Sequence, residues 1–175
     1  MKKYINLWDY AGEILEQVSK GALVTAKADG EVNTMTIGWG TLGTEWAKPI
    51  FTVFVRQSRH TKVLLDKNGE FTINVAPRGV DKKKELGFCG TKSGRDVNKF
   101  QELDLHLEEP DVISVPGIKE FPITLECRVV YKQDQDLSLL DEDKRLRYYA
   151  PETPNDGDYH TAYYGEVLAA YIIED

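Results

Sequence analysis

GALVTAKADGEVNTMTIGWG, which spans residues 21 to 40, decides the fold of this chain. Two runs that contain β-branched residues flank the dipeptide Asp29-Gly30. That dipeptide accepts the positive φ angles that a tight hairpin turn requires. The stretch therefore predicts two antiparallel strands joined at these residues, and it is the strongest hairpin signal in the sequence.

Four other runs predict strands because they are rich in β-branched and aromatic residues. In one of them Leu125, Cys127 and Val129 alternate with Glu126 and Arg128, which is the periodicity of a half-buried strand. The four runs are IFTVFVR (50–56, introduced by Lys48-Pro49), FTINVA (71–76), PITLECRVVYKQ (122–133) and HTAYYGEVLAAYII (160–173).

Two segments predict short helices on either side of the hairpin stretch. Asp9 is the expected cap of a helix that runs up to the stop signal Gly21. The segment GVDKKKELGFCG, residues 79–90, predicts a second helix with Val80 and Leu86 on its buried side.

A further helix is predicted directly after the strand 50–56. Ser58 is the expected cap of SRHTKVLLDKNGE, with Val63 and Leu64 facing inward and Gly69 ending the helix. The sequence thus contains about six strands and three short helices, and the strands are grouped rather than alternating with helices. That order favours a mainly β fold, an antiparallel barrel with a few short helices, over a parallel α/β sheet.

The length of 175 residues fits a single domain, residues 1–175, with one charged insertion at residues 134–158. Within the insertion, Ser138 and Asp141 predict a capping box for a helix that runs through Tyr149. An apolar fraction of 41% with 29% charged residues excludes a disordered chain.

The net charge of −7 argues against nucleic acid and membrane surfaces as partners, because both attract an excess of Lys and Arg. No run approaches the roughly 18 apolar residues of a membrane helix. Cys89 and Cys127 stand far apart without a second cysteine or a histidine cluster nearby, so both are expected to be reduced thiols. We therefore expect a cytoplasmic protein.

One short motif is misleading. GWGTLG, residues 38–43, matches the glycine pattern of dinucleotide-binding folds, but that pattern works only where the last glycine opens a helix. Here TEWAKPIFTVFV follows, and Pro49 with a β-rich run argues against a helix.

Two polar segments are candidates for binding an anion. Arg56, Ser58 and Arg59 stand where a strand turns into a helix, whose free N–H groups attract a phosphate. The alternative is a helix cap with solvated or paired arginines. The loop TKSGRD, residues 91–96, offers a second set of donors around Gly94, although such loops are usually only connections.

Two ring-bearing residues complete the candidates. Trp39 can stack on an aromatic ligand, although a strand tryptophan is more often core. His160 at the mouth of the last strand can donate a hydrogen bond or a proton, although a half-buried structural imidazole is the simpler reading. The three histidines have no partners at metal-ligand spacing, and no catalytic triad or Cys–His pair is evident. Together the segments predict a pocket for a phosphorylated aromatic ligand.

The same segments resemble a known family. NTMTIGWG (33–40), VRQSRHT (55–61), CGTKSGRD followed by KF (89–100), LECRVV (125–130) and GDYHTAYYGEVLAAY (157–171) occur in the order seen in flavin reductase-like proteins, including flavoredoxins. The resemblance runs from about Gly21 to the C-terminus. It implies an FMN-binding split β-barrel with Greek-key connections, which works as a homodimer and holds FMN near the subunit interface.

The resemblance also implies roles for individual residues. Those beside the isoalloxazine ring would be Asn33, Thr34, Met35, Thr36 and Trp39. Those on the phosphate and ribityl chain would be Arg56, Ser58, Arg59 and Thr61, with Lys92, Ser93 and Gly94 closing over the phosphate or the ring edge. His160 would stand where a nicotinamide approaches the flavin.

Two departures from the family pattern bear on function. Tyr159 separates Asp158 from His160, which are adjacent in the reductase pattern, and the insertion before Gly157 is longer than in the simplest members. The insertion is expected to cover the flavin or to extend the dimer interface. Three functions therefore stay open: a reductase that transfers hydride from NAD(P)H to FMN, a flavoredoxin-like FMN electron carrier served by a redox protein partner, and a split barrel that binds no flavin.

Overall fold

The structure is a computed structural model and describes residues 1–174. Strands dominate this part of the chain. They are β1 (Lys2–Tyr4), β2 (Ala22–Ala28), β3 (Glu31–Ile37), β4 (Gly40–Glu45), β5 (Lys48–Arg56), β6 (Glu70–Val75), β7 (Leu107–Glu108), β8 (Gly117–Ile118), β9 (Ile123–Asp134) and β10 (His160–Ile173). The helices are α1 (Leu7–Lys20), α2 (His60–Asn68), α3 (Lys83–Thr91), α4 (Lys99–Leu103) and α5 (Glu142–Tyr148), with a 3-10 turn at Leu137–Leu139.

Most strands belong to one antiparallel sheet. Its order is β3-β2-β6-β9-β10-β5-β4, and β1 pairs with the last residues of β10. β7 and β8 form a separate two-stranded ladder. Strands β6 and β10 pair with strands far away in sequence, as Greek-key connections require. The mainly β, antiparallel class predicted from the sequence is confirmed.

The order of the strands forces the sheet to curl. β3 and β4 lie at opposite ends of the order, six strand spacings apart, which is roughly 29 Å in a flat sheet. Yet only Gly38 and Trp39 separate them in the chain, and the three steps from Ile37 to Gly40 span at most about 11 Å. The sheet therefore closes into a barrel with a split between β3 and β4.

The core fills the barrel and the space under α1. Strand β2 is buried on both faces, with Leu23 packing outward into a smaller cluster and Val24 into the main one. The main cluster also contains Ile14 of α1, Phe51 of β5 and Phe71 of β6. These contacts hold β3 and α2, which carry most of the residues discussed below, against a fixed frame.

Several predictions made from local sequence signals are confirmed by the structure. The hairpin at Asp29-Gly30 is confirmed, with φ angles of 51° and 80°, and β10 has the predicted bounds. GWGTLG leads into β4 and not a helix, so its rejection as a dinucleotide motif is confirmed. The sequence reading missed β1, β4 and α4. β4 escaped because its turn to β5 uses positive φ at Trp46 and Ala47, two residues that seldom adopt it.

Two predicted helix caps are wrong. Helix α1 begins at Leu7, and Asn6, not Asp9, accepts the capping bond from the Trp8 N–H. Helix α2 is preceded by Arg59 as its N-cap residue without a side-chain cap bond, because the Ser58 hydroxyl bonds elsewhere. Both helices end at the predicted glycines.

Three predictions of burial are also wrong. Val63 is 40% exposed, and Leu65 takes the inward place beside Leu64, because Thr61, Leu64 and Leu65 share the buried face at the i, i+3, i+4 spacing of a helix. Val80 is exposed and lies before α3. Glu126 is fully buried although it alternates with the core face of β9, since its carboxylate accepts the N–H groups of a crossing loop.

The charged insertion contains less helix than predicted. Helix α5 starts at Glu142, and its N-cap residue Asp141 makes no side-chain cap bond. Ser138 does not pair with Asp141, because its hydroxyl donates to Asp136. Within residues 1–174, none of the helices has the length and apolar character needed to cross a membrane.

Gly165 tests the packing of the barrel interior. A β-carbon there would approach Phe71 Cε1 to 2.6 Å and Cys127 Cβ to 2.9 Å, in a fully packed core. We expect Gly165→Ala to lower the free energy of unfolding by about 1–3 kcal/mol, the usual cost of overpacking. Gly43→Ala is the matched control, because no atom lies within 4 Å of its β-carbon position. Equal midpoints of urea unfolding for the two variants would contradict this packing.

Candidate functional site

A cavity of about 170 Å³ opens at the split between β3 and β4. We call it the first cavity. Its walls combine apolar and aromatic side chains with a few polar ones. The lining residues are Met35, Thr36, Ile37, Gly38 and Trp39 from β3 and the link after it, Phe54 and Arg56 from β5, Arg59, and His160 at the start of β10.

A second cavity of about 120 Å³ adjoins it. The two share Met35, Thr36 and Arg59, so they form one continuous depression. The remaining walls of the second cavity come from β3, the start of α2 and the loop after α3. These residues are Asn33, Ser58, His60, Thr61, Cys89, Gly90, Thr91, Lys92, Ser93, Gly94, Arg95 and Lys99.

The walls of the second cavity carry only one sign of charge. Arg59, Lys92, Arg95 and Lys99 supply four cations, and no Asp or Glu of the described residues lines it. This contrasts with the chain as a whole, whose net charge is −7. A concave surface lined by one sign of charge concentrates ions of the opposite sign. The cavity is therefore suited to an anion.

Lys99 is the most unusual of the four cations. It is only 3% exposed, and its Nζ donates to Thr34 O at 2.8 Å and Cys89 O at 2.9 Å. Burial, with Arg59 also acting against the charge, lowers the pKa of the ammonium. A buried charge without a charged partner costs free energy, which an anion in the cavity would offset. The sequence reading gave Lys99 no role, although it stands in the quoted KF pair.

The loop after α3 is tightly fixed against β3 and α2. Asn33 Nδ2 donates to Thr61 Oγ1 at 2.9 Å, and Arg95 Nη1 donates to Ser58 O at 3.1 Å. Gly94 packs on the Asn33 side chain, and a β-carbon there would overlap the Asn33 amide. Glycine at this position therefore allows the loop to close the second cavity.

Two further side chains of the second cavity have a defined chemistry. Burial raises the pKa of the Cys89 thiol to about 11, so it is a packing group and not a nucleophile. His60 Nε2 pairs with Glu31 Oε1 at 2.5 Å, while its buried Nδ1 has no partner within residues 1–174. An unpaired buried ring nitrogen is suited to a hydroxyl donor of a ligand.

Residues 135–159, which we call the strap, pack against side chains that line the first cavity. Tyr148 packs edge-on against Trp39, with ring centroids 5.0 Å apart. Arg56 holds the strap at two backbone carbonyls, donating to Asp158 O at 2.9 Å and Tyr148 O at 3.2 Å. Of the two expectations for the insertion, a cover over the site is the one that this geometry favours.

The strap also engages the start of α2. Asp158 accepts from the Ser58 N–H at 3.0 Å and from the Ser58 hydroxyl at 2.6 Å. The hydroxyl and backbone N–H of Ser58 and the guanidinium of Arg56 are therefore already bonded to the strap. Arg59 and Lys92 form no hydrogen bond or ion pair through their side chains within residues 1–174, and so remain available to a ligand.

The residues predicted from the sequence converge here. Every candidate except Thr34 lines one of the two cavities. The Thr34 hydroxyl instead points into the barrel, where it donates to Val24 O at 3.1 Å, and only its carbonyl faces Lys99. Trp39 is 40% exposed, so the reading of this residue as plain core is wrong. The ligand roles of these residues stay predictions.

His160 is the one titratable imidazole in the first cavity. Its ring centroid lies 4.8 Å from that of Trp39, and its Nδ1 lies 2.6 Å from the Tyr149 hydroxyl. Burial, followed by the nearby Arg56, lowers its pKa to about 4, while Asp158 opposes the shift. The ring is therefore neutral at physiological pH. Within residues 1–174, no group of three His, Cys, Asp or Glu side chains is arranged to hold a metal.

The sequence and the fold have counterparts in known proteins. The model of the flavin reductase like domain matches residues 18–175, which is most of the chain. The chain belongs to the flavin reductase-like family. The resemblance inferred from the motifs is thereby confirmed.

Two individual proteins show how far the similarity extends. An uncharacterized protein of Archaeoglobus fulgidus is 36% identical over 98 residues. The matched region covers 56% of this chain and 54% of that protein, which is about half of its length. The crystal structure of flavoredoxin from Methanosarcina acetivorans is 27% identical with a TM-score of 0.65, covering 88% of this chain and 68% of that one.

A third relative shares the fold alone. The NADH:FAD oxidoreductase of Streptomyces globisporus is 18% identical with a TM-score of 0.63, and the match covers 87% of this chain and 75% of that one. A flavoredoxin and an NADH:FAD oxidoreductase thus share this fold, so the fold alone does not decide the function of this chain.

The lowered pKa of His160 predicts how the stability of the folded chain depends on pH. Between pH 6.5 and pH 4 the unfolded chain binds a proton that the folded imidazole does not, so acidification destabilises the folded state. We expect the wild type to lose about 2 kcal/mol more than His160→Gln between pH 7 and pH 4.5. Parallel urea titrations at the two pH values measure the difference. Identical losses in both proteins would show that His160 is not buried in its neutral form.

Proposed function

We propose that this chain is an FMN-binding oxidoreductase that transfers hydride from NAD(P)H to its flavin. The observation that carries the proposal is the pairing of two cavities. One is lined by four cations without a carboxylate, and it continues through Arg59 into one with apolar and aromatic walls. FMN combines a dianionic phosphate with a flat aromatic ring, and so matches both halves.

We assign the phosphate and ribityl chain to the second cavity. Arg59 and Lys92 would meet the phosphate with charge, and Thr61 and Ser93 with hydroxyls. The loop at Gly94 would close over it. Ser58 and Arg56 would support this site indirectly, because their donors hold the strap.

We assign the ring to the first cavity. Met35 and Thr36 would border it along β3, with the backbone of Thr34 behind them and Trp39 beside it, while Asn33, expected beside the ring, lines only the second cavity. Bound FMN supplies the redox chemistry, accepting a hydride from a reduced nicotinamide and delivering electrons onward. The protein orients the reactants and excludes water through the strap. His160 would mark the side from which the nicotinamide approaches.

A second candidate is a flavoredoxin-like electron carrier that holds FMN and exchanges electrons with a redox protein. The strap favours it, because the ring of Tyr148 packs edge-on against Trp39 and takes up space beside this wall that a nicotinamide would also need. Similarity to the Methanosarcina acetivorans flavoredoxin supports it further. A barrel that binds no flavin ranks third, because it leaves the cationic cavity without a purpose.

We further propose that two copies of the chain, each a single domain, form a homodimer in the cytoplasm. An outward-facing group of rings supports an interface. The ring centroid of Trp46 lies 6.1 Å from that of Tyr131 and 6.2 Å from that of Tyr164. Both Trp46 and Tyr131 are exposed. The cysteines Cys89 and Cys127 are free thiols, as a reducing compartment maintains them.

Sedimentation equilibrium of the purified chain measures the oligomeric state, and a monomer at all concentrations would exclude the dimer.

The cofactor and the electron donor are tested together. We expect the purified protein to be yellow, or to become so when loaded with FMN, and to bleach rapidly when NADH or NADPH is added under anaerobic conditions. Stopped-flow absorbance at the flavin band measures the rate. A yellow protein that bleaches only with a reduced protein partner would support the carrier. A protein that cannot be loaded with FMN would overturn both.

Arg59 provides the residue-level test. Arg59→Ala should weaken FMN binding by about 1.5–3 kcal/mol, the usual worth of a charged hydrogen bond. That corresponds to roughly 10- to 150-fold in the dissociation constant. Arg78→Ala is the matched control, because Arg78 pairs with Glu16 on the surface and lines neither cavity. Fluorescence titration of FMN measures both, and an unchanged constant for Arg59→Ala would rule out its phosphate role.

A further inference from the structure

The strap reaches His160 at its Nδ1 atom, through Tyr149, which is not among the lining residues of the first cavity. Tyr149 is 5% exposed, and its hydroxyl lies 2.6 Å from His160 Nδ1 and 3.0 Å from Gln135 Oε1. The His160 ring lines the cavity, and its Nε2 has no hydrogen-bond partner within residues 1–174. The three side chains form a short chain that ends at the cavity.

The direction of the hydrogen bonds in this chain follows from the backbone. The His160 N–H points at the Gln135 side chain at 3.4 Å, and an N–H only donates. The Gln135 atom at that point is therefore the amide oxygen, which only accepts. The Tyr149 hydroxyl must donate its single proton to that oxygen. Its own oxygen then accepts, so the proton between Tyr149 and His160 belongs to His160 Nδ1.

The charges around the ring favour the neutral imidazole. Arg56 and Arg59 also line the first cavity, and both disfavour a second positive charge at His160. Asp158 is the one nearby carboxylate that would favour it, and its two oxygens already accept from Ser58. A neutral ring protonated at Nδ1 leaves a lone pair on Nε2, directed at the cavity side.

We propose that Tyr149 is a positioning residue that holds His160 as its Nδ1–H tautomer, so that Nε2 accepts a hydrogen bond from an N–H donor of the ligand in the first cavity. The carboxamide N–H₂ of a reduced nicotinamide is a donor of this class. This assignment of the ligand rests on the proposed function, whereas the tautomer rests on the contacts alone. Tyr149 belongs to the strap, so the strap contributes to recognition as well as to cover.

The tautomer is measured directly by long-range ¹H–¹⁵N correlation spectra of the imidazole rings. The chain has three histidines, and the spectrum of His160→Gln identifies the signals of the missing ring. We expect the wild type to show a protonated Nδ1 and an unprotonated Nε2 at His160. A wild-type spectrum with the proton on Nε2 would overturn the proposal. The measurement is made on the wild type, and His160→Gln serves only to assign the signals.

Two variants test the cause. Tyr149→Phe should abolish the single tautomer and leave a mixture, and Gln135→Leu should turn the Tyr149 proton toward Nδ1 and so move the ring proton to Nε2. Tyr148→Phe is the matched control, because the Tyr148 hydroxyl has no hydrogen bond within residues 1–174 while its ring keeps the contact with Trp39. A pure Nδ1–H tautomer in both Tyr149→Phe and Gln135→Leu would overturn the role of Tyr149.

Kinetics separate this proposal from the proposed function. In Gln135→Leu, in which Nε2 carries the proton, we expect KM for NADH to rise about 5- to 20-fold with kcat within about twofold, because the hydrogen bond to the bound nicotinamide is lost. Tyr149→Phe should show a smaller rise, because part of its population keeps Nε2 free. The dissociation constant of FMN should stay unchanged. An unchanged KM would overturn the ligand contact. A wild type that takes no hydride from NADH would overturn the proposed function, while the NMR result would still decide the tautomer.

Discussion

The whole arrangement depends on the two-residue link between β3 and β4. Because Gly38 and Trp39 join strands from opposite ends of the sheet order, the sheet must curl until its edges nearly meet. The link then becomes the rim of an opening, with Trp39 held half out of the core. The first cavity is this opening, and β3 carries its wall onward into the second. A split barrel thus produces a binding site as a direct consequence of its topology.

Electrostatics then distinguish the two halves of the site. Four cations surround the second cavity in a chain that is acidic overall, and Lys99 is held among backbone carbonyls instead of carboxylates. In the first cavity burial, followed by the nearby charge of Arg56, keeps the ring of His160 neutral. One half is prepared for an anion and the other for an uncharged, flat ligand. Arg59 belongs to both.

Sequence reasoning succeeded where the determinant is local. The hairpin at Asp29-Gly30, the helix ends at Gly21 and Gly69 and the candidates around the cavities all follow from short motifs. It failed where a distant residue competes. Ser58 has the sequence context of a cap, but the carboxylate of Asp158, 100 residues away, takes its hydroxyl. Lys99 looks like a surface lysine until the fold brings Thr34 and Cys89 to it.

The bonds from Arg56 to the strap have a consequence for how this segment can change. Both are made to backbone carbonyls, those of Tyr148 and Asp158, which every amino acid possesses. A substitution at position 148 therefore changes the surface of the strap without removing these two hydrogen bonds. The barrel thus holds the strap through its backbone at Tyr148, whereas Tyr149 and Asp158 also contact the barrel through their side chains. Within one scaffold, the surface beside the first cavity can therefore change while the walls of both cavities stay the same.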